Sequence, residues 1–540
     1  MTANSETAWP QSRRRTDAAA LVGAWAILVA VALALRPILP IDETRYVTVA
    51  WEMWQRGDFL VPHLNGLPYS EKPPLLFWLM HFGWWMFGVN DWWPRLVPAL
   101  FGLANLFLTA SLARRLWPDR PEVARTAPAV LLGLLLWSLF TAMIMFDMLV
   151  AFCVLLAIRG IHDAWTRGGA RPWLMTGVAL GLGVLAKGPV ALLLPLLIAL
   201  SSPWWGGRLP RRAGAGRRWL GLAGAVGLAA VIAFAWALPA AASGGSAYAD
   251  AILLKQTEAR VVRSFAHRQP WWWYLPLLPV LLSPYSLWPP LWKAARRELS
   301  RQIDPGLRLC LAWFVPGFVA FSLISGKQPH YLIPLCPAFA LLAARLLDEP
   351  VPVRRWHLVP AAAMLLIVGG AMALGPLLSR RMDLPEWAAL VAPGVGVVLL
   401  AATAGFFFGF RRLFVGRPAA LTLLSLALVA AAHAGFAEVA ERAYDLRPVS
   451  RYLGVLERQG RPIAWVGHYH GQFHFLGRLQ RPFHQIEPGA ERLWLLSHPR
   501  GKVIQDLRYA PPEISRADYV QPYRDDTLAV WGYDAVVPPS

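Results

Sequence analysis

The sequence predicts an all-α polytopic membrane protein of about thirteen transmembrane helices, with a small α/β domain after the last of them. Three observations predict it. The 540 residues are 56% apolar and 16% charged, against roughly 45–50% and about 25% in soluble domains, and the mean hydropathy is +0.42. Apolar stretches close to the ~20 residues a helix needs to cross a bilayer recur along most of the chain. Lys and Arg alternate between loops as membrane topology dictates. The same composition excludes a disordered, collagen-like or coiled-coil chain, and three cysteines in 540 residues exclude a disulfide scaffold.

The spans fall near 18–36, 93–113, 124–144, 146–163, 172–186, 188–203, 219–241, 271–292, 307–325, 330–347, 356–378, 385–410 and 416–436. Residues 1–17 form a cytoplasmic tail ahead of them. Arg13, Arg14 and Arg15 give the first span the look of a secretory signal, but its apolar stretch exceeds the usual signal core and Arg36-Pro37 is a poor cleavage site. It reads as an uncleaved signal anchor. The runs 124–163 and 172–203 each read as one long helix or two short ones.

With the N-terminus inside, the loops near 114–125, 159–171, 208–218, 293–308, 345–355 and 411–417, together with the N-terminal tail, hold about 26 Lys/Arg and about 9 Asp/Glu. The first outside loop, 37–92, carries six acids and three bases. The formal charge of +20 is therefore mostly topology and contact with anionic lipid, and no nucleic-acid partner is expected. An odd number of spans puts 437–540 outside, where Pro462–Val466 and Leu493–Leu496 read as short strands between turn residues. Cys153, Cys310 and Cys336 lie in or beside apolar spans, so disulfides are not expected.

Ionisable groups are costly in a bilayer, so those at span ends are functional candidates. Asp42 and Glu43 follow the first span directly. They suit the N-terminus of a helix whose apolar positions Val47, Ala50, Trp51 and Trp54 match one lying in the membrane plane. Asp147 interrupts two apolar spans, Lys187-Gly188-Pro189 breaks the run 172–203, and Lys327 to Tyr331 joins two others. All face the same side in this topology, which suggests an outward-opening polar cavity. The outside loop 242–270 adds Glu258, Arg260, Arg263, His267 and Arg268 before Trp271–Tyr274, an interfacial aromatic run. Arginine there suits a lipid phosphate, because guanidinium pairs bidentately with phosphate oxygens. His468, His470 and His474 have a usable metal spacing, but no carboxylate or cysteine completes a set nearby, and they read as structural.

Asp42-Glu43-Thr44-Arg45-Tyr46, Trp51-Glu52-Met53, Gly57-Asp58 and the stretch Leu64 to Leu75 (LNGLPYSEKPPL) resemble the first periplasmic loop of the bacterial aminoarabinose-transferase-type glycosyltransferases, relatives of the protein O-mannosyltransferases. Asp147, Leu185 to Pro189, His267 to Tyr274 and Lys327 to Pro334 match that family too. The resemblance covers the membrane part and is densest over 15–340.

The resemblance implies the GT-C glycosyltransferase fold, with interfacial helices in 37–92, a transmembrane domain over 18–436 and a C-terminal periplasmic domain over 437–540. It implies a bacterial inner-membrane enzyme, N-terminus cytoplasmic and active site periplasmic, with an undecaprenyl-phosphate-linked sugar as donor. The leading acceptor is a lipid A phosphate, receiving 4-amino-4-deoxy-L-arabinose. Transfer of another polyprenyl-linked sugar to a glycan, lipid or protein Ser/Thr is the alternative. A secondary transporter, the rival from another class, would show inverted repeats and mid-membrane polar groups, and neither is evident.

Transfer breaks the bond between the anomeric carbon and a phosphate oxygen, so cations and hydroxyl donors aimed at the departing phosphate stabilise the transition state. Lys72, Arg260, Tyr331 and Lys327 are expected there. Asp42 and Asp147 are the expected catalytic carboxylates: a general base for a hydroxyl acceptor, an orienting group for an ionised phosphate acceptor. Glu43 and Glu71 are supporting residues. Some members of the family hold a divalent metal near the glutamate matched by Glu71, with His267 as the candidate second ligand. Two ligands fall short of a closed site, and no metal is claimed.

Overall fold

A computed structural model describes residues 11–207, 214–255, 268–349, 351–379, 381–382, 386–413, 418–507 and 512–536. Helices lie over every expected span, and eight are long and apolar enough to cross a membrane; three shorter apolar helices accompany them among the described residues. The first nine helices that matter here are α1 (Gln11–Leu35), α2 (Asp42–Arg56), α3 (Leu75–Phe87), α4 (Trp92–Leu116), α5 (Pro121–Gly133), α6 (Leu135–Phe140), α7 (Asp147–Thr166), α8 (Ala170–Lys187) and α9 (Val190–Leu200). The later long helices are Ala215–Gly244, Pro305–Leu323, Val359–Ser379, Pro393–Leu413 and Pro418–Gly435.

Both ambiguous runs resolve into pieces. Gly188-Pro189 separates α8 from α9, because proline clashes with the preceding turn and lacks a donor. The expected span 124–144 breaks at Leu134, and residues 141–146 turn back to start α7 at Asp147. The expected span 271–292 is not a continuous helix. A 3-10 turn at Trp271–Trp273 leads into Tyr274–Leu281, the chain then turns, and Pro289–Leu299 is a separate amphipathic helix. Prolines at 276, 279, 284, 289 and 290 account for the interruption.

Residues expected inside meet one another at one end of the bundle: Arg115 with Asp163 at 2.7 Å, Arg120 with Asp348 at 2.8 Å and Arg345 with Glu298 at 3.2 Å. At the other end, α2 carries the chain across the bundle. Much of its apolar stripe packs on protein. Val47, Ala50 and Trp51 are buried in protein, with Tyr46 edge-on to Phe146 at 4.9 Å and Trp51 edge-on to Phe475 at 6.4 Å. The stripe's pattern is the same for either partner, so period alone could not separate them. The three cysteines are buried and unbridged.

The hairpin β1 (His63–Leu64) and β2 (Leu67–Pro68) turns on Asn65-Gly66, both at positive φ (52° and 80°), the geometry that favours Asn-Gly in a tight hairpin. The buried Glu52 carboxylate accepts the backbone N–H of Asn65 at 2.5 Å and of Gly66 at 2.9 Å, fixing this hairpin to α2.

Beyond the last span a five-stranded mixed sheet runs in the order β4-β3-β5-β7-β6, built from β3 (Ile463–Val466), β4 (His484–Ile486), β5 (Lys502–Leu507), β6 (Tyr519–Tyr523) and β7 (Asp526–Trp531). The first three strands are parallel, and β6-β7 is an antiparallel hairpin joined to β5. Helix Arg447–Arg458 packs Val449, Leu453 and Leu456 on one face with Ile463 and Trp465. Trp494 and Leu495 cover the other face with Ala464 and Val503. The strand expected at Leu493–Leu496 is thus a helix, Glu491–Ser497. A four-residue apolar run has no period long enough to distinguish the two.

Candidate active site

The sequence-predicted side chains come together where α2, the 63–72 hairpin region, the start of α7, the end of α8 and the 3-10 segment Pro329–Leu335 meet. Asp147 opens α7, where a carboxylate favours the helix N-terminus. It is 3% exposed, accepts from Lys187 Nζ at 2.6 Å and has His330 Nε2 at 4.0 Å. Lys187, the last residue of α8, also lies 4.6 Å from the Tyr331 ring centre, a cation–π distance. Arg45 of α2 reaches Glu71, the neighbour of Lys72, at 3.5 Å, and Glu43 and Tyr46 contact Ile144 and Phe146 just ahead of Asp147, so the first-loop motif and the later spans share one polar cluster.

Asp42 begins α2 with its side chain 43% exposed, and Arg45 Nη2 donates to it at 2.6 Å. Arg45 also reaches Glu71 at 3.5 Å, and the Tyr69 hydroxyl donates to Glu71 at 3.2 Å. Burial pushes the Tyr46 phenol well above its ordinary value, and the neighbouring Asp42 charge adds to it. Asp42 and Glu71 are the open carboxylates of the cluster, whereas Asp147 is buried and ion-paired.

Glu43 does a different job. It is buried, ion-paired with Arg36, and accepts the backbone N–H of Leu39 at 2.8 Å and of Ile144 at 2.7 Å. Arg36 in turn donates to Ala142 O at 2.9 Å. The pair ties the turn 141–146 to the start of α2, which sets Asp147 relative to Asp42. Burial alone would raise the Glu43 carboxyl, but Arg36 and the hydrogen bonds outweigh it and hold it below 4.5.

Lys327 is buried, with Nζ donating to Ile324 O at 2.6 Å and Gln269 O at 2.9 Å. Gln269 N donates to Ser325 O at 3.1 Å, so Lys327 clasps segment 268–270 to segment 324–327. Tyr274 donates to Gln328 O at 2.9 Å from the same side. Arg260, with Glu258, Arg263 and His267, lies outside the described residues.

The sequence marked Lys187 as a break in an apolar run that faces the outward cavity, without a partner, and gave no role to His330, Arg45 or Tyr69. Lys187 had a signal, a cation beside Gly-Pro, but its partner Asp147 is 40 residues away. The tail domain also reaches the cluster. Thr48 Oγ1 donates to Gly471 O at 2.8 Å, and His470 feels the charges of Arg45, Glu71 and Asp42; burial leads the lowering of its pKa. His474 is a core residue: it hydrogen-bonds the Tyr469 hydroxyl at 2.7 Å, and burial lowers it to about 4. Glu71 is engaged by Tyr69 and Arg45, and among the described residues no three His, Cys, Asp or Glu side chains converge as a metal site.

Residues 71–237 match the family described as dolichyl-phosphate-mannose-protein mannosyltransferase. The chain is 31% identical over 379 residues to an undecaprenyl phosphate-alpha-4-amino-4-deoxy-L-arabinose arabinosyl transferase of Pseudomonas fluorescens, covering 67% of each chain. It is 33% identical over 349 residues to the transferase of that name from Pseudomonas aeruginosa, covering 63% of this chain and 60% of the relative. The fold is similar to that of ArnT from Cupriavidus metallidurans, with TM-scores of 0.74 in the apo state and 0.72 in the complex with undecaprenyl phosphate. Each comparison is at 21% identity and covers 96% of this chain and 99% of the other. On the sequence matches, with the GT-C fold agreeing, the chain belongs to the family of undecaprenyl-phosphate aminoarabinose arabinosyl transferases.

Proposed function

We propose that the chain is a glycosyltransferase of the bacterial inner membrane that moves 4-amino-4-deoxy-L-arabinose from undecaprenyl phosphate to a phosphate of lipid A. The reaction takes place at the periplasmic face, with the N-terminus in the cytoplasm and residues 437–540 periplasmic. The named activity of the Pseudomonas relatives supports donor and sugar. The observation that carries the reading is the polar cluster at one end of the bundle in which Lys187 bridges Asp147 and the Tyr331 ring and Arg45 bridges Asp42 and Glu71, the neighbour of Lys72.

The chemistry follows from charge. As the anomeric carbon leaves the phosphate oxygen, negative charge grows on undecaprenyl phosphate, and fixed cations are worth most when it is fully developed. Lys72 and Tyr331, with Arg260, hold that phosphate. Lys187 neutralises Asp147 and braces the Tyr331 ring. Lys327 positions the loop that carries Tyr331. The exposed Asp42 carboxylate pairs with the sugar's amino group and orients it; an ionised phosphate acceptor needs no base. Glu43 and Glu71 set the positions of Asp42 and Arg45.

The match to a mannosyltransferase family favours one second reading, transfer to a protein hydroxyl with Asp42 as base. Purified enzyme in vesicles with undecaprenyl-phosphate aminoarabinose separates the two. Consumption of donor on addition of lipid A supports the proposal, and consumption only on addition of a Ser/Thr-containing protein supports the second reading. Lys72→Ala and Asp42→Asn should each lower turnover by at least ~100-fold while the protein still accumulates, the scale seen when a transition-state donor is removed.

A further inference from the structure

A second charged site lies away from this cluster. A cleft of about 340 Å³ between the start of α4 and the tail domain is lined by Arg447, Arg451, Arg458 and Arg478 against the single carboxylate of Asp91. Three of the arginines form a stripe. Positions 447, 451 and 458 repeat with the helical period on one face of Arg447–Arg458, and the opposite face is buried in the domain core. Asp91 is already paired with Arg478 at 2.9 Å, and Arg447 with Asp445 at 2.7 Å. Among the described residues Arg451 and Arg458 have no ion pair, and both face the cleft. Arg478 is held rigid over the Phe475 ring, 4.1 Å from its centre.

The position of the cleft identifies its ligand. Asp91 immediately precedes the span α4, and the adjoining cleft, which shares Asp91, Arg447 and Leu476, is floored by Leu33–Ile38 at the end of span α1. Trp92, next to Asp91 in the chain, is exposed with the exposed Phe87 ring 5.4 Å from it, as aromatic side chains are at a membrane interface. The guanidinium stripe therefore stands at headgroup depth. Topology does not explain it, because the positive-inside bias enriches arginine at the opposite end of the bundle. Planar guanidinium forks match phosphate oxygens.

We propose that this cleft binds the phosphate of a membrane lipid headgroup, at a site separate from the donor-phosphate cluster. The binding does not depend on which sugar the enzyme transfers. The test uses the full chain in detergent with one equivalent of undecaprenyl phosphate, so that the donor cluster is filled before the cleft is probed. Native mass spectrometry then follows added phosphatidic acid, phosphatidylcholine or inorganic phosphate. Phosphatidic acid should bind, phosphatidylcholine should not, and Arg451→Gln with Arg458→Gln should weaken the phosphatidic acid adduct about tenfold or more, as loss of charge-assisted bonds requires. Arg451→Lys with Arg458→Lys should retain part of that binding, and undecaprenyl phosphate should stay bound in every variant. Equal binding by the Gln variant and the wild type overturns the proposal. So does displacement of phosphatidic acid by inorganic phosphate at matched concentration, which would make the cleft a site for a free anion.

Discussion

Asp42 and Glu43 are neighbours in sequence with opposite fates. One is open to the cluster, and the other is buried against Arg36 and two backbone amides. Glu43→Gln leaves the Arg36 charge without its partner and should cost about 3–5 kcal/mol of stability, the scale for breaking a buried ion pair. Thermal unfolding in detergent would measure it. The folded carboxyl is held below 4.5, so its stabilisation is complete above the unfolded value and is lost as pH falls through the lower folded one. The difference between wild type and Glu43→Gln should therefore shrink only as the solution is acidified below the ordinary glutamate range. Lys187→Gln should likewise destabilise the protein, and adding Asp147→Asn should restore most of the loss, because the uncompensated charge is then gone. The sequence showed Asp42 and Lys72 through a contiguous motif. The Lys187–Asp147 pair and the clasping role of Lys327 depend on contacts between distant segments, which no local pattern records.

At the scale of elements, α2 decides the architecture of the site. Its N-terminal turn presents Asp42 and Arg45, its middle is sealed by the tail domain, and Glu52 holds the hairpin that leads to Glu71 and Lys72. The seal is tight at Gly471, where φ is +80° and an added Cβ would stand 2.8 Å from Leu64 Cδ1 and 3.3 Å from Arg45 Cα. Gly471→Ala should lift the 467–473 loop and cost about 1–3 kcal/mol, the usual cost of forcing a non-glycine residue into such a conformation. Limited proteolysis of the tail domain should then quicken and transfer should fall, although the residue carries no chemistry. The amphipathic pattern of α2 was legible in the sequence, but the surface it meets was not, since lipid and a protein core select the same apolar face. Leu493–Leu496 was misread as a strand for a related reason, being too short for its period to show.

For the whole molecule, most of the fold class was legible because a bilayer leaves so few options: apolar length, loop charge and one motif pointed to a helical bundle with its candidate site residues at one end. The breaks at Leu134 and through 271–292 became clear only from packing and proline geometry. The tail domain, docked by Trp51 Nε1 to Leu479 O at 2.8 Å and by Asn65 to Phe483 at 2.7 and 3.0 Å, is part of the site's scaffold. Transfer of aminoarabinose to lipid A is tested by mass spectrometry of lipid A from cells with and without the gene. A mass increase matching aminoarabinose on phosphate should appear with the wild-type gene and disappear with Lys72→Ala. Identical lipid A in cells with and without the gene would contradict it.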